Sequence, residues 1–171
     1  MSAGAFPKPS LRPYQNADLP SLSEIRFAAI EELTVEDYDD AQRQAWASLA
    51  DDDEAFAQTL AKGLTLVAQI GGEPVGFITL REGGLIDQLY VHPTVVRTGV
   101  ATALCEAIER QADAHGIATL VADVSDTAKP LFEALGYRAD RRQTIEIDGQ
   151  WLGNTRMKKA LASKSTQDGR R

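Results

Sequence analysis

The stretch from Ile86 to Ile108 constrains the fold of this chain more than any other. Its first residues are apolar and aromatic and predict a strand that ends at Val91. Its last residues carry apolar side chains at the helical spacing, which is typical of an amphipathic helix. Between them, the loop from Thr94 to Gly99 leads into the helix, whose first amides lack internal partners and can hold a cofactor phosphate. Every strand–helix junction has such free amides, so other parts of the sequence are needed to indicate whether this junction binds a phosphate.

The part of the chain before this stretch predicts a short strand, then helices, then strands. Leu11–Tyr14 contains a proline, which is tolerated at the edge of a sheet. Helices are expected over residues 19–33, 34–49 and 54–62. Thr34 is expected to cap the second helix. Glycine pairs then separate three β-rich runs, which predict antiparallel strands over residues 64–70, 74–80 and 85–91.

The part after this stretch predicts a strand, a helix and a hairpin. The helix of the central stretch is expected to end near His115-Gly116. A buried strand over 117–121 and a helix from Ser125 through Leu135 follow, and then a hairpin with strands 137–147 and 150–158. The strands on either side of the central helix should be parallel neighbours, by the usual right-handed crossover. The predicted fold class is therefore α+β, with a mixed, mostly antiparallel sheet flanked by helices.

Composition indicates an ordinary soluble protein. With 171 residues, 43% of them hydrophobic and 25% charged, the chain is expected to form a single domain over residues 10–160. Residues 1–9 are expected to be a disordered lead-in and residues 161–171 a disordered tail. The formal charge of −7 argues against nucleic-acid binding. No apolar run approaches the roughly 20 residues of a membrane helix, and no secretion signal is evident, so we expect a cytoplasmic protein with no membrane partner.

Several blocks of sequence, in order, resemble the GNAT superfamily of acyl-CoA-dependent N-acetyltransferases. They are LYVHP, VVRTGVATAL and SDTAKPLFEALGY, and the final RRQTIEIDGQWLGNTRMKKAL is similar to the bacterial branch called YafP-like. The resemblance spans roughly residues 10–160. It implies the GNAT fold, acetyl-CoA as co-substrate, and no metal.

The family's phosphate loop reads Gln or Arg, two residues, Gly, one residue, then Gly or Ala. Gly99 and Ala101 fit the last two positions, whereas Val96 departs from the first. By resemblance, the backbone amides of the loop hold the pyrophosphate, and a bulged strand binds the pantetheine and the thioester oxygen. The residues assigned to the cofactor in these two segments are Leu89, Tyr90, Val91, Arg97, Thr98, Gly99, Val100, Ala101 and Thr102.

The family's second block usually carries an asparagine and, seven residues later, a tyrosine that protonates the departing thiolate. Here Ser125 replaces the asparagine and Phe132, which has no proton to give, replaces the tyrosine. Both positions, together with Lys129, are assigned to the cofactor. Tyr90 and Tyr137 are alternative proton donors.

Direct attack of an amine on a thioester also needs a base and an acceptor pocket. Asp87 is the first candidate for the base, because strand alternation puts it on the same side as Leu89. His92 is the second candidate, since an imidazole titrates near neutral pH. The expected substrate-binding residues are Tyr38, Trp46 and Trp151.

The resemblance and these residues predict an N-acetyltransferase that moves acetyl from acetyl-CoA to a small primary amine or arylamine in a ternary complex. A non-catalytic acyl-CoA-binding module is an alternative, and Phe132 is its best support. An acyltransferase that uses a longer acyl-CoA is another. The final hairpin could pair across a homodimer.

Overall fold

The computed structural model describes residues 7–161. The strands are β1 Ser10–Pro13, β2 Leu64–Ile70, β3 Glu73–Arg81, β4 Leu85–Val91, β5 Thr119–Ser125, β6 Arg138–Ile147 and β7 Gln150–Ala160. The helices are α1 Leu19–Leu33, α2 Asp40–Ser48, α3 Asp53–Ala61, α4 Val100–Ala114 and α5 Lys129–Ala134. The expectations for residues 1–6 and 162–171 lie outside the described residues.

All seven strands form one sheet in the order β1-β2-β3-β4-β5-β7-β6. Only β4 and β5 pair in parallel, and every other neighbouring pair is antiparallel. The predicted mixed, mostly antiparallel α+β fold is therefore confirmed. The parallel pair follows from the crossover through α4, and β1 is an edge strand as its proline predicted.

Each face of the sheet has its own apolar core. On one face, Leu104 and Ile108 of α4 are fully buried against residues of the central strands. On the other face, α1 and α3 pack on β2 and β3 around Leu22 and Phe77, which are also fully buried. Each such side chain contributes roughly 1.5–3 kcal/mol by leaving water.

Glycine at position 76 allows α4 to lie close to the sheet. A Cβ there would come within 3.2 Å of Val100 Cγ1 and 3.1 Å of the carbonyl oxygen of Tyr90. The close approach fixes the N-terminus of α4 beside the end of β4. Cys105, the single cysteine, is fully buried in the same core, and burial raises the pKa of its thiol to about 12. It packs as a small apolar residue, as expected.

Two helix starts predicted from the sequence are wrong. Thr34 does not open α2, because its hydroxyl donates to the carbonyl oxygen of Ile30 and so closes α1. Asp39 caps α2 instead, in a capping box with Gln42. Ser125 does not open α5 but is the last residue of β5, which extends four residues beyond the predicted strand. Among residues 7–161, no helix is both long enough and apolar enough to span a bilayer.

Candidate active site

Strands β4 and β5 part after two residue pairs and leave a gap in the middle of the sheet. Leu85 pairs with Val121 and Ile86 with Ala122, and the pairing stops there. β4 continues beside β3 as far as Val91, and β5 continues beside β7 through residue 125. The two strands therefore expose facing edges to each other along the second half of their length.

A β-bulge marks the point where the strands part. Leu80 of β3 pairs with Ile86 and Thr79 with Gln88, so Asp87 is the extra residue of the bulge. The bulge implied by the family resemblance is therefore present, a little earlier in the strand than residues 89–91. Extra residues of this kind bend a strand and end its pairing with a neighbour.

Backbone groups of β4 point into the gap. The amide of His92 donates to Val75 in β3 at 2.8 Å. In an antiparallel pair the hydrogen-bonding groups alternate in direction, so the amide of Tyr90 also faces β3, whereas those of Leu89 and Val91 face the gap. Within the described part of the chain, β5 leaves these two amides without a strand partner.

The loop beyond β4 presents further free amides at the start of α4. Gly99 is the N-cap, with φ of 92°, and Arg97 has φ of 64°. The first amide to bond within the helix is that of Ala103, which donates to Gly99 at 3.0 Å. Among residues 7–161, the amides from Gly99 to Thr102 therefore have no backbone acceptor. The amide of Thr98 already donates to the carbonyl oxygen of Val95 at 3.3 Å, so it is not free to bind a phosphate as expected.

Two cavities meet at the gap and form one cleft. The smaller, about 160 Å³, lies between α1 and the second half of β5, and the larger, about 490 Å³, lies under α2 and the final hairpin. The cavities share the side of the gap formed by Trp46, Asp87, Gln88, Tyr90, Asp123 and Ser125. Ligands that fill the two cavities would therefore meet at this shared side.

Two carboxylates face the cleft from opposite sides of the gap. Asp123 accepts two hydrogen bonds from Arg156, at 2.8 and 3.0 Å, and these bonds hold the pKa of Asp123 below its usual range. Within residues 7–161, Asp87 has only a long contact of 3.9 Å with Arg81. Asp123 is therefore the carboxylate held by hydrogen bonds, and Asp87 is the one that no described donor engages.

Asp87 lines the cleft but lies on the opposite side of the sheet from Leu89, so its predicted orientation is wrong. Leu89 packs on the core beside α4. Asp87 contacts Arg81, which follows buried Leu80 and so points to the other face of the sheet. The bulge interrupts the alternation from which that orientation was predicted. Asp123 was missed altogether, although alternation within TLVADVS could have identified it as the polar side chain facing away from the core.

Tyr90 reaches both cavities and is held by two contacts. The indole Nε1 of Trp46 donates to its hydroxyl oxygen at 3.0 Å, and the guanidinium of Arg26 lies 5.3 Å from the centre of its ring. An indole N–H can only donate, so the hydroxyl oxygen is the acceptor and its own proton is left for another partner. Tyr90 thus offers a proton to the cleft.

Tyr38 and Trp46 lie at the cleft, but Trp151 does not. Tyr38 is 5% exposed, and its hydroxyl donates to the carbonyl oxygen of Gly153 at 2.6 Å and accepts from the amide of Asp126 at 3.0 Å. It thereby joins β7 to the end of β5 and lines the larger cavity. The side chain of Trp151 is 60% exposed and lines neither cavity, because its strand position turns it to the opposite face from Leu152.

His92 also lies outside the cleft, which corrects its candidacy as a base. Its Nδ1 accepts from the amide of Thr94 at 3.2 Å and caps the short 3-10 turn that follows β4. The residue lines neither cavity. A histidine before proline at the end of a strand is here a structural cap.

The far wall of the smaller cavity comes from the second block of the family pattern. Ser125 and Phe132 line this wall, and Lys129 starts α5 immediately after Ala128, another lining residue. The Ser125 hydroxyl oxygen accepts from the amide of Ala128 at 3.1 Å. Tyr137 is 3% exposed inside the core and lines neither cavity, and burial raises the pKa of its hydroxyl. It is therefore not a proton donor for the cleft.

Comparisons with known proteins agree with this geometry. A family model described as an acetyltransferase (GNAT) domain matches residues 34–161. The chain is 35% identical, over 86% of its length and 93% of the relative's, to the uncharacterized N-acetyltransferase YafP of Escherichia coli K12. A GCN5-related N-acetyltransferase from Rhodopseudomonas palustris is 46% identical, with a TM-score of 0.89 over 91% of this chain and 97% of that one. PaiA N-acetyltransferase from Thermoplasma acidophilum, solved with coenzyme A, shares the fold at 17% identity, with a TM-score of 0.75 over 90% and 99% of the two chains.

Proposed function

Because the chain belongs to the GNAT family of acetyltransferases, as its sequence predicted, we propose that it transfers acetyl from acetyl-CoA to a small primary amine in a ternary complex. The observation that carries this proposal is the gap between β4 and β5, where the two cavities meet. One cavity takes the pantetheine arm and the other takes the amine, so the reacting atoms come together at the gap. The proposed acetyltransferase domain spans residues 10–160.

The backbone around the gap fits an acyl-CoA. Amides at the start of α4, from Gly99 to Thr102, combine with the positive end of the helix dipole and suit a pyrophosphate. The free edge of β4 suits the amide groups of pantetheine, which can pair with it as an added strand would. Val96 does not weaken this fit, because main-chain groups supply the contacts.

Acetyl-CoA supplies an activated acetyl group as a thioester. The amides of Leu89 and Val91 face the gap, and one of them stabilises the negative charge that develops on the thioester oxygen as the amine attacks. These groups are fixed by the pairing of β4 with β3, so they need no rearrangement during the reaction. A fixed donor aimed at a developing charge contributes several kcal/mol to such reactions.

Asp87 is the base in this proposal, directly or through a water molecule. An amine must lose a proton to become a nucleophile. Both carboxylate oxygens of Asp123 accept from Arg156, so Asp123 attracts the ammonium form without taking its proton. Asp87 has no comparable partner among the described residues, and its position in the bulge puts it beside both cavities.

Tyr90 replaces the missing tyrosine of the family pattern as the proton donor. Phe132 occupies the usual position and has no proton to give, but a thiol with a pKa of about 8.5 is a fair leaving group. The hydroxyl of Tyr90 faces the cleft with its proton free because Trp46 occupies its oxygen. Donation of that proton to the sulfur gives free CoA. The nitrogen loses its second proton as the amide forms, and that proton returns to the Tyr90 oxygen, directly or through water.

The test is release of CoA thiol from acetyl-CoA over a panel of amines, with the acetylated product identified by mass spectrometry. We expect amine-dependent release with equal amounts of CoA and acetylated amine. Tight binding of acetyl-CoA with no release for any amine would instead favour the non-catalytic binding module. The same assay with butyryl-CoA and hexanoyl-CoA separates an acetyltransferase from an enzyme for longer acyl groups.

A further inference from the structure

The larger cavity has an apolar wall that the packing of the fold does not explain. Leu49 and Ile145 are 57% and 39% exposed, yet both line this cavity. They come from the end of α2 and from the edge strand β6, far apart in sequence, and converge on one space. Buried Leu152 and Phe56 continue the same wall. Exposed apolar side chains gathered around a cavity are typical of a binding site for an apolar group.

Polar and acidic residues also line this cavity. Asp87 and Asp123 are among them, and Asp123 is already paired with Arg156. Asn154 lines the cavity too and is 7% exposed, and within residues 7–161 its Oδ1 has no hydrogen-bond partner. Amide and carboxylate oxygens can only accept hydrogen bonds, so a ligand that donates hydrogen bonds suits this part of the cavity. An ammonium group supplies both positive charge and several N–H donors.

One cation also lines the cavity, and its guanidinium is already held by hydrogen bonds within the protein. Arg26 is 4% exposed and donates to the carbonyl oxygens of Ala47 and Trp46, at 3.2 and 3.0 Å. These carbonyls belong to the last turn of α2, the negative end of its dipole. The guanidinium also lies over the ring of Tyr90. Arg26 is thus a cap for α2 and does not call for an anionic ligand.

We infer that the acceptor is a cationic aliphatic primary amine with an apolar body and no carboxylate or phosphate. This inference rests on the proposed function and narrows it. An arylamine is neutral near pH 7 and makes little use of two carboxylates. Amino acids and phosphorylated amines bring an anion toward Asp87 and Asp123, and amino sugars bring hydroxyl groups to an apolar wall.

Four amines test the inference: 2-phenylethylamine, phenylalanine, ethanolamine and aniline. Phenylalanine has the same apolar part as 2-phenylethylamine and an added carboxylate. Ethanolamine lacks the apolar part, and aniline lacks the positive charge near pH 7. We expect kcat/KM for 2-phenylethylamine to exceed that of each of the others by at least about tenfold. The purified full chain with acetyl-CoA serves for all four measurements.

Variants of the apolar wall test whether this wall binds the apolar part of the amine without taking part in acetyl transfer. Leu49→Ser and Ile145→Ser should each raise KM for 2-phenylethylamine about tenfold and leave that for ethanolamine unchanged. Trp151→Ser is the matched control, because it removes an exposed apolar side chain of the same hairpin that lines neither cavity. Asp123→Asn should raise KM for the cationic amines and leave that for aniline unchanged.

The outcomes distinguish this inference from the proposed function. Acetylation of ethanolamine or phenylalanine as efficiently as 2-phenylethylamine would overturn the inference and leave the acetyltransferase proposal standing. Equal effects of Ile145→Ser and Trp151→Ser on KM would also overturn it. Absence of CoA release with every amine, while acetyl-CoA still binds, would overturn both.

Discussion

The indole Nε1 of Trp46 lies 3.0 Å from the hydroxyl oxygen of Tyr90, and this contact determines where the hydroxyl proton can go. The indole is a donor only, so the phenol oxygen accepts and its proton turns to the cleft. Trp46 itself is held by an edge-to-face contact with Tyr38 at 5.5 Å between ring centres. Two aromatic residues, Trp46 directly and Tyr38 through Trp46, therefore orient the hydroxyl of Tyr90 at the gap.

Tyr90→Phe should lower kcat by roughly 100-fold and leave KM for acetyl-CoA unchanged, because it removes a proton donor but no backbone contact. Trp46→Phe should lower kcat less, since it removes only the bond that orients the hydroxyl. Tyr14→Phe is the matched control, because Tyr14 packs on the same core and its hydroxyl, buried within the described chain, has no partner. A fully active Tyr90→Phe enzyme would show that another group, or water, protonates the thiolate.

Gly99→Ala should reduce the favourable free energy of acetyl-CoA binding by more than it lowers the free energy of unfolding. Gly99→Arg should weaken acetyl-CoA binding further. Gly99 has φ of 92°, so a side chain costs about 1–2 kcal/mol in backbone strain and stands where the pyrophosphate is expected. Gly116→Ala is the control at the other end of the same helix, where φ is 75° and the space is also open. Calorimetric titration with acetyl-CoA and thermal unfolding compare the two. Unchanged affinity in Gly99→Arg would mean that the loop is not the pyrophosphate site.

Asp87→Asn should lower kcat by roughly 100-fold and leave KM for acetyl-CoA unchanged, because it removes the proposed base. Glu82→Gln provides the control, since Glu82 is an exposed carboxylate in the adjacent turn and lines neither cavity. Steady-state rates of both variants, measured with the same amine, give the comparison. If Asp87→Asn is as active as Glu82→Gln, the base is another group.

Asp18→Asn should lower the free energy of unfolding by about 2 kcal/mol at neutral pH and make it less sensitive to acid. Arg12 donates two bonds of 2.7 Å to Asp18, and these bonds hold the pKa of that carboxyl below its usual value. A lowered folded-state pKa gives stability that is present above about pH 4 and is lost as the pH falls through the folded value. Urea unfolding at pH 7 and pH 3 measures the difference, with Glu36→Gln as an exposed control. The same acid loss in both variants would contradict the assignment.

The sequence predicts the elements that periodicity and glycine turns define. Strands β2 and β4 and helix α1 lie where alternation, glycine pairs and helical spacing put them. The errors occur where a side chain bonds to a neighbouring backbone group. Thr34 and Ser125 are both good helix caps by type, but the first closes a helix and the second ends a strand, because tertiary contacts select among the turns that such residues can make.

The loop around Gly99 was assigned to the cofactor from the family's phosphate-loop pattern, because a glycine before an amphipathic helix is too common to identify such a loop by itself. The structure places free backbone amides there, and the assignment to pyrophosphate stays a prediction. Asp123 could not be ranked above other aspartates, because its role depends on Arg156 across the sheet and on the end of pairing at Ala122. Trp46 lies on a helix and Trp151 on a strand, and the sequence does not show which face each residue presents to the cleft. The structure places Trp46 at the cleft and Trp151 outside it.

A crystal structure with bound CoA tests the account most directly. We predict the pyrophosphate at the amides from Gly99 to Thr102, the pantetheine along the free edge of β4, and the sulfur within hydrogen-bond reach of the Tyr90 hydroxyl. CoA bound outside the gap between β4 and β5 would contradict the account. So would CoA in the gap with its sulfur remote from Tyr90 and Asp87.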